Sequence, residues 1–249
     1  MTEYGLIGKI LSHSFSADFF NAKFAAEGID ARYELMQIPD IAELPELIRQ
    51  HPDLRGLNVT IPFKQEVIPF LDSLSEQASE IGAVNVIQFA DGRLIGHNSD
   101  VFGFMESIRP LLPVDARKAL VLGTGGASRA VHYGLRQLGL ETVAVSRSPR
   151  SGCITYADIS PELMDESLVI VNCTPLGTFP NTEVCADIPY DLLTPRHLLY
   201  DLVYNPERTL FLRKGETQGA RVKNGLEMLH LQAIKAWEIW NSPLPAQPS

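Results

Sequence analysis

Two separated groups of residues in this chain are of types that do chemistry. Near the middle stands Val121-Leu-Gly-Thr-Gly-Gly-Ala-Ser-Arg-Ala130, a glycine-rich turn placed where an apolar run gives way to a helical pattern. Such a turn lets the backbone approach a pyrophosphate and aims the amides of the next helix at that anion. Gly123 and Gly125 permit the tight turn, Gly126 adds a second Cβ-free position, and Ser128 stands where the third small residue of the pattern falls. Upstream lie Asn58-Val-Thr-Ile-Pro-Phe-Lys64 and Gly96-His-Asn-Ser-Asp100, which offer a lysine and an aspartate outside that turn. A lysine and a carboxylate can hold and move a proton. Beside a dinucleotide, that chemistry makes a small-molecule oxidoreductase. The bland alternatives are a chain reversal at the glycines, a solvated lysine, and an aspartate that caps a helix.

The end of the strand after the turn selects the dinucleotide. An NAD site places Asp or Glu there to accept the ribose 2′-hydroxyl. This chain has Ser146-Arg-Ser-Pro-Arg150 instead. Arg147 can stack on adenine and bind a 2′-phosphate that a carboxylate would repel, so NADP is favoured. The missing acid also counts against a methyltransferase, while solvated loop charges are the plain reading of Arg147 and Arg150.

These residues need elements to position them. Strands are expected over residues 4–8, 31–38 and 56–61, helices from about 16, over 41–50 and over 73–81, and a hairpin of 83–89 and 93–97 about Asp91-Gly92. Ser16 and Asp18 are of helix-capping type, and Gly82 marks a helix end. A helix over 101–112 follows. The pattern then restarts with a strand at 118–122, a helix at 127–138 stopped by Gly139 and a strand at 142–146, one parallel βαβ unit. Strands at 168–173, 198–202 and 220–223, with a helix at 207–218, extend that sheet. The last helix, 226–240, carries Leu226, Leu229, Ala233, Trp237 and Trp240 on one stripe, and the proline-rich tail beyond it frays. The expected fold class is α/β, with an N-terminal α/β substrate-binding domain and a Rossmann-type NADP-binding domain separated by a cleft. Residues 1–104, completed by the C-terminal helix 225–249, would form the first domain and residues 105–224 the second. Leu226 and Leu229 would then face the first domain, with Gln232 pointing into the cleft.

Bulk properties narrow the class. A net charge of −9 argues against nucleic acid or an anionic membrane as partner, and no apolar run reaches the length of a membrane span. Three scattered cysteines fit neither a disulfide framework nor a zinc site, and Cys173 reads as a small buried hydrophobe. Six histidines show no ligand spacing, so no metal is expected. No signal peptide is visible, so a cytoplasmic protein is expected.

The chain resembles the shikimate dehydrogenases over nearly its whole length. The resemblance rests on Ser12-His-Ser-Phe-Ser16, Asn58-Val-Thr-Ile-Pro-Phe-Lys64, Gly82-Ala-Val-Asn85, Asn98-Ser-Asp100, Gly123-Thr-Gly-Gly-Ala-Ser-Arg129 and Gly225-Leu-Glu-Met-Leu-His-Leu-Gln232. Weaker matches are Asn172-Cys-Thr-Pro-Leu-Gly177 and Asp201-Leu-Val-Tyr-Asn-Pro206. It implies reversible NADPH-dependent reduction of 3-dehydroshikimate to shikimate, in aromatic amino acid biosynthesis, by a monomer or homodimer. Lys64 and Asp100 would be the catalytic pair. Ser14, Ser16 and Tyr204 would hold the substrate carboxylate, while Thr60, Asn85, Asp100 and Gln232 would recognise ring hydroxyls. Gly123, Gly125, Gly126, Ala127, Ser146, Arg147, Ser148, Arg150, Thr174 and Gly225 would line the cofactor. Departures from the family pattern include Gly8-Lys-Ile-Leu11 in place of an Asn-Pro lead-in, Ser146-Arg-Ser148 in place of Asn-Arg-Thr, and Thr178 in place of Met. A quinate/shikimate dehydrogenase using NAD, and a non-catalytic NADP-binding sensor, are the rival readings.

Overall fold

A computed structural model describes residues 1–11 and 15–243. Backbone contacts divide the chain into two compact units, residues 1–99 with 233–249, and residues 100–232.

The first unit is built on a six-stranded sheet. Its elements are β1 (Thr2–Gly8), α1 (Phe15–Glu27), β2 (Ala31–Gln37), α2 (Leu44–Gln50), β3 (Leu54–Val59), β4 (Ser73–Leu74), α3 (Glu76–Ile81), β5 (Val86–Ala90) and β6 (Arg93–His97). The sheet order is β2-β1-β3-β5-β6-β4. β1 pairs parallel with β2 and β3, whereas β5 runs antiparallel to both β3 and β6. The Asp91-Gly92 turn joins β5 to β6 with φ of 51° and 72°, the left-handed pair that matches the twist of a hairpin. One face packs on Ile41, Leu44, Phe63 and Val67. The other buries an aromatic cluster of Tyr4, Phe20, Phe24, Tyr33 and Trp240.

The second unit begins with α4 (Asp100–Ile108) and continues through β7 (Lys118–Leu122), α5 (Gly126–Gln137), β8 (Glu141–Ser146), β9 (Cys153–Thr155), α6 (Pro161–Glu166), β10 (Val169–Asn172), β11 (Leu198–Asp201), α7 (Leu210–Thr217) and β12 (Arg221–Lys223). All six strands are parallel, in the order β9-β8-β7-β10-β11-β12. That is the doubly wound order of a Rossmann-type domain, with its switch point between β7 and β10. Fully buried Leu120, Val121, Ile170, Val171 and Leu199 explain why these strands read as continuous apolar runs.

The last helix, α8 (Leu226–Asn241), is divided between the units. Met228 joins the core of the second unit, while Ala233, Ala236 and Trp240 join the aromatic cluster of the first.

Several expectations are corrected. Residues 73–74 are strand rather than helix, because Ser75 accepts the Ala78 N–H and starts α3 after them. Ser16 lies inside α1 and is buried, so it does not cap that helix. The helix expected from 207 begins at Leu210, where Thr209 accepts the Leu212 N–H. The apolar stripe of α8 is rotated, since Leu226 is 41% exposed and Met228 is buried in its place. β9 and α6 are additions to the expected elements. The tail beyond residue 243 lies outside the described residues.

Candidate active site

Three strand ends of the first unit meet at one edge of its sheet. The Val59 N–H donates to the Asn85 carbonyl at 2.9 Å, and the Asn85 N–H donates to that of His97 at 3.1 Å. Thr60, just past β3, donates its N–H to the Ile7 carbonyl at 3.0 Å. Thr60 and Asn85 are therefore fixed on neighbouring strands. The buried Asn85 amide is oriented by Ser99, whose N–H donates to Oδ1 at 2.7 Å and whose Oγ accepts from Nδ2 at 3.0 Å. Asn98 donates to the Ala83 carbonyl at 2.9 Å. Lys64 follows Phe63, whose ring is buried in the core and whose N–H donates to the Thr60 carbonyl at 2.9 Å.

A second polar chain supports that edge from below. The Tyr33 hydroxyl donates to Asn58 Oδ1 at 2.8 Å, and Asn58 Nδ2 donates to the Asn85 carbonyl at 3.3 Å. Ser16 hydrogen-bonds the same phenol, whose pKa burial drives well above the usual tyrosine range. Ser14 lies outside the described residues. Burial also lowers the pKa of His97, which meets Gln88 Oε1 at 3.2 Å. A cavity of about 580 Å³ in this unit, beside His51, Arg55 and Arg93, contains none of these residues.

In the second unit the glycine-rich turn joins β7 to α5 as the sequence requires. Gly123 has φ of 105°, and a Cβ there would stand 3.1 Å from Thr174 Cγ2. Gly125 is the extended residue before α5, and a Cβ on it would meet nothing within 4 Å, so this side of the turn is open. Gly126 and Ala127 form the first turn of α5. Ser128 donates inward to the Gly125 carbonyl at 2.7 Å, which is how a serine is accommodated in place of a third glycine. Ser146 ends β8, its Oγ accepting weakly from the Ser148 N–H at 3.5 Å. Arg147 is exposed, and Arg150 donates to Thr124 Oγ1 in the turn at 2.9 Å. The cationic loop and the glycine turn are thus parts of one surface. Open glycine backbone, a helix N-terminus and two arginines without an acid fit a dinucleotide that carries an extra phosphate.

The remaining candidates surround the carboxyl ends of β10 and β11 and the start of α8. Thr174 Oγ1 donates to Asn172 Oδ1 at 2.6 Å. Tyr204 is 39% exposed, and partial burial raises its pKa. The Gly225 N–H donates to the Val203 carbonyl at 3.2 Å, and a Cβ at Gly225 would lie 2.2 Å from the Leu202 oxygen. Glycine is required there by close approach. Gln232 is buried and donates to the Leu229 carbonyl at 2.9 Å. Its backbone passes 3.0 Å from where a Cβ on Gly103 would be, beside the first turn of α4, which begins at the buried Asp100. Within the first unit hydrogen bonds link the segments that carry Ser16, Thr60, Lys64 and Asn85, and within the second Asn172 and Asp201 link Thr174 to the bend before Tyr204. Asn58, Asn98, Ser99, Thr124, Asn172 and Asp201 fall outside the candidates read from the sequence. Their one signal is a polar residue interrupting an apolar strand or following its end.

An α/β chain with a doubly wound nucleotide unit and a separate sheet whose edge carries Thr60, Lys64 and Asn85 is a dinucleotide-dependent oxidoreductase in form. Residues 6–87 match the family model described as "Shikimate dehydrogenase substrate binding domain". A shikimate dehydrogenase (NADP(+)) of Aquifex aeolicus is 38% identical over 249 residues, which cover 96% of this chain and 90% of that one. The crystal structure of a shikimate 5-dehydrogenase from Thermus thermophilus, in complex with NADP(H) and shikimate, has a TM-score of 0.86 and 32% identity, covering 98% of this chain and 95% of the other. A quinate dehydrogenase from Corynebacterium glutamicum in complex with NAD has a TM-score of 0.84 at 26% identity, covering 96% of this chain and 93% of the other. The chain belongs to the shikimate dehydrogenase family. Among the described residues no helix is long and apolar enough to cross a membrane.

Proposed function

We propose that the protein is an NADP-dependent shikimate dehydrogenase, which reversibly reduces 3-dehydroshikimate to shikimate in aromatic amino acid biosynthesis. One observation carries this reading: the likeness to the Thermus thermophilus structure in complex with NADP(H) and shikimate runs over 98% of the chain, and so takes in both units. The residue-level roles extend the resemblance to chemistry that each side chain can supply.

Bound NADPH would supply the hydride. Gly123, Gly125, Gly126 and Ala127 would receive its pyrophosphate, Ser146, Arg147, Ser148 and Arg150 its 2′-phosphate, and Thr174 and Gly225 its nicotinamide end. As the ketone is reduced, negative charge grows on its oxygen. The Lys64 ammonium stabilises that charge and delivers the proton, with Asp100 orienting the lysine. Ser14, Ser16 and Tyr204 hold the carboxylate, and Thr60, Asn85, Asp100 and Gln232 the ring hydroxyls. The ordered hydrogen bonds around Asn85 support its part, because an amide held by Ser99 does not have to be oriented on binding. Residues 1–104 with the final helix would be the substrate domain and 105–224 the cofactor domain. Three free cysteines suit the reducing cytoplasm.

The likeness to a quinate dehydrogenase in complex with NAD keeps one rival. Absorbance at the nicotinamide band, with shikimate or quinate against NADP⁺ or NAD⁺, decides between them. Reduction of NADP⁺ by shikimate, with little from NAD⁺ or quinate, is expected. Activity mainly with NAD⁺ or quinate would move the protein to the neighbouring subfamily, and no activity with any pair would leave a cofactor-binding sensor.

A further inference from the structure

The second unit holds a carboxylate that the chemistry above does not use. Asp201 ends β11 with none of its surface exposed. Its Oδ1 accepts from Asn172 Nδ2 at 2.9 Å and from the Val203 N–H at 3.0 Å, and its Oδ2 accepts from Thr209 Oγ1 at 2.6 Å. A carboxylate can only accept, so Asn172 must turn its nitrogen to Asp201 and its oxygen away. That oxygen accepts both the N–H of Thr174, at 3.0 Å, and its hydroxyl, at 2.6 Å. With its hydroxyl committed, Thr174 presents its methyl to the dinucleotide turn, 3.1 Å from where a Cβ on Gly123 would lie. On the other side, the Val203 amide bond fixes the bend that delivers Tyr204. The Gly225 N–H, on the Val203 carbonyl at 3.2 Å, ties the start of α8 to the same bend.

We propose that Asp201 is a positioning residue that holds the cofactor-side loop at Thr174 and the substrate-side loop at Tyr204 in fixed relation. The inference rests on the reading of the protein as a shikimate dehydrogenase, which gives Thr174 and Tyr204 their partners. Burial pushes the Asp201 carboxyl up to about 6 even though three hydrogen bonds pull it down. A charge is a costly way to fill space, since apolar residues commonly replace buried charges without loss of stability. What the carboxylate alone supplies is two acceptor oxygens aimed at donors from β10, from the bend after β11 and from the start of α7.

The test is steady-state kinetics with shikimate and NADP⁺ varied in turn, for wild type, Asp201→Ala, Asp201→Asn and Asn172→Ala. Asp201→Ala should raise both KM values at least about fivefold. Asn172→Ala cuts only the arm to Thr174, and should raise the NADP⁺ KM by at least about fivefold while shikimate stays within about twofold. Asp201→Asn keeps an acceptor toward Asn172 and Val203, so both values should stay within about threefold of wild type. The proposal is overturned if Asp201→Ala lowers only the melting temperature, as a merely structural residue would, or if Asn172→Ala moves the two KM values together. Should Asp201→Ala fail to fold, the contrast between Asn172→Ala and Asp201→Asn still decides. An inactive wild type would sink the functional reading instead, and calorimetric titration of NADP⁺ into the same variants would then read the cofactor arm.

Discussion

The backbone carbonyl of Lys64 accepts the Val84 N–H at 2.7 Å. Val84 immediately precedes Asn85, so the candidate lysine is anchored to the segment that delivers a candidate substrate residue. The buried Phe63 ring holds the loop from its other side. Both anchors, the Lys64 carbonyl and the Phe63 ring, survive truncation of the lysine side chain, so Lys64→Ala should keep the loop in place. Its kcat should fall by roughly 10²–10⁴, with the shikimate KM changing far less. A kcat within about tenfold of the parent, measured by nicotinamide absorbance, would remove Lys64 from the proton-handling role.

Coenzyme choice should follow the arginine loop. Arg150 is already tied to Thr124 of the glycine turn, at 2.9 Å, while Arg147 is exposed. Replacing both by alanine should raise the NADP⁺ KM by roughly 10- to 100-fold and leave the NAD⁺ KM within about threefold, because only the former carries the 2′-phosphate. Equal losses with both coenzymes would mean that the loop supports the turn rather than reading the phosphate.

Asp201 gives stability an unusual pH dependence. Its folded pKa of about 6 lies above the ordinary aspartate value of 3.8, so its charge disfavours the fold. Below the unfolded value that penalty is absent; it grows as pH rises and is complete above the folded value. At its plateau it amounts to about 3 kcal/mol. Asp201→Asn should therefore melt higher than its parent at pH 7.5, with the advantage fading toward pH 4. Melting curves across that range that run parallel would contradict the assignment.

Gly56 tests the aromatic core. A Cβ there would stand 2.3 Å from Trp240 Nε1, and the indole cannot retreat, since Nε1 donates to the Ile87 carbonyl at 3.1 Å and the ring packs 4.8 Å from that of Tyr4. Gly56→Ala should cost about 1–3 kcal/mol, read as a lower urea midpoint at unchanged slope. An unchanged midpoint would show that Trp240 can move aside.

Local rules make much of this architecture legible. Asp91-Gly92 specifies its hairpin, Gly82 ends α3 with φ of 66°, and the glycine turn falls between β7 and α5. Short elements escape. β9 is three residues without alternation, and the six-residue α6 is announced only by Ser160-Pro161. Residues that carry motifs can be picked out singly, as Lys64 and Thr60 are. The Asn172–Asp201–Thr209 cluster cannot, because its members are 29 and 8 residues apart and meet only when β10 and β11 pair with Asn172 opposite Asp201. Leu226 is misplaced because the two ends of α8 bury different faces: Met228 enters the core of the second unit while Leu226 stays 41% exposed.

The division of α8 has a consequence for how the chain is made. The aromatic cluster of Tyr4, Phe20, Phe24 and Tyr33 is closed by Ala233, Ala236 and Trp240, from the far end of the sequence. On a ribosome the first unit therefore emerges early and stays unfinished, its ring-lined face uncovered while residues 100–232 are synthesised, roughly ten seconds at ordinary rates. The second unit has all its strands in one continuous stretch and can fold as soon as it clears the exit. The half of the protein that is born first is thus the half that matures last, and a nascent chain stalled before Trp240 would present that sticky face to chaperones.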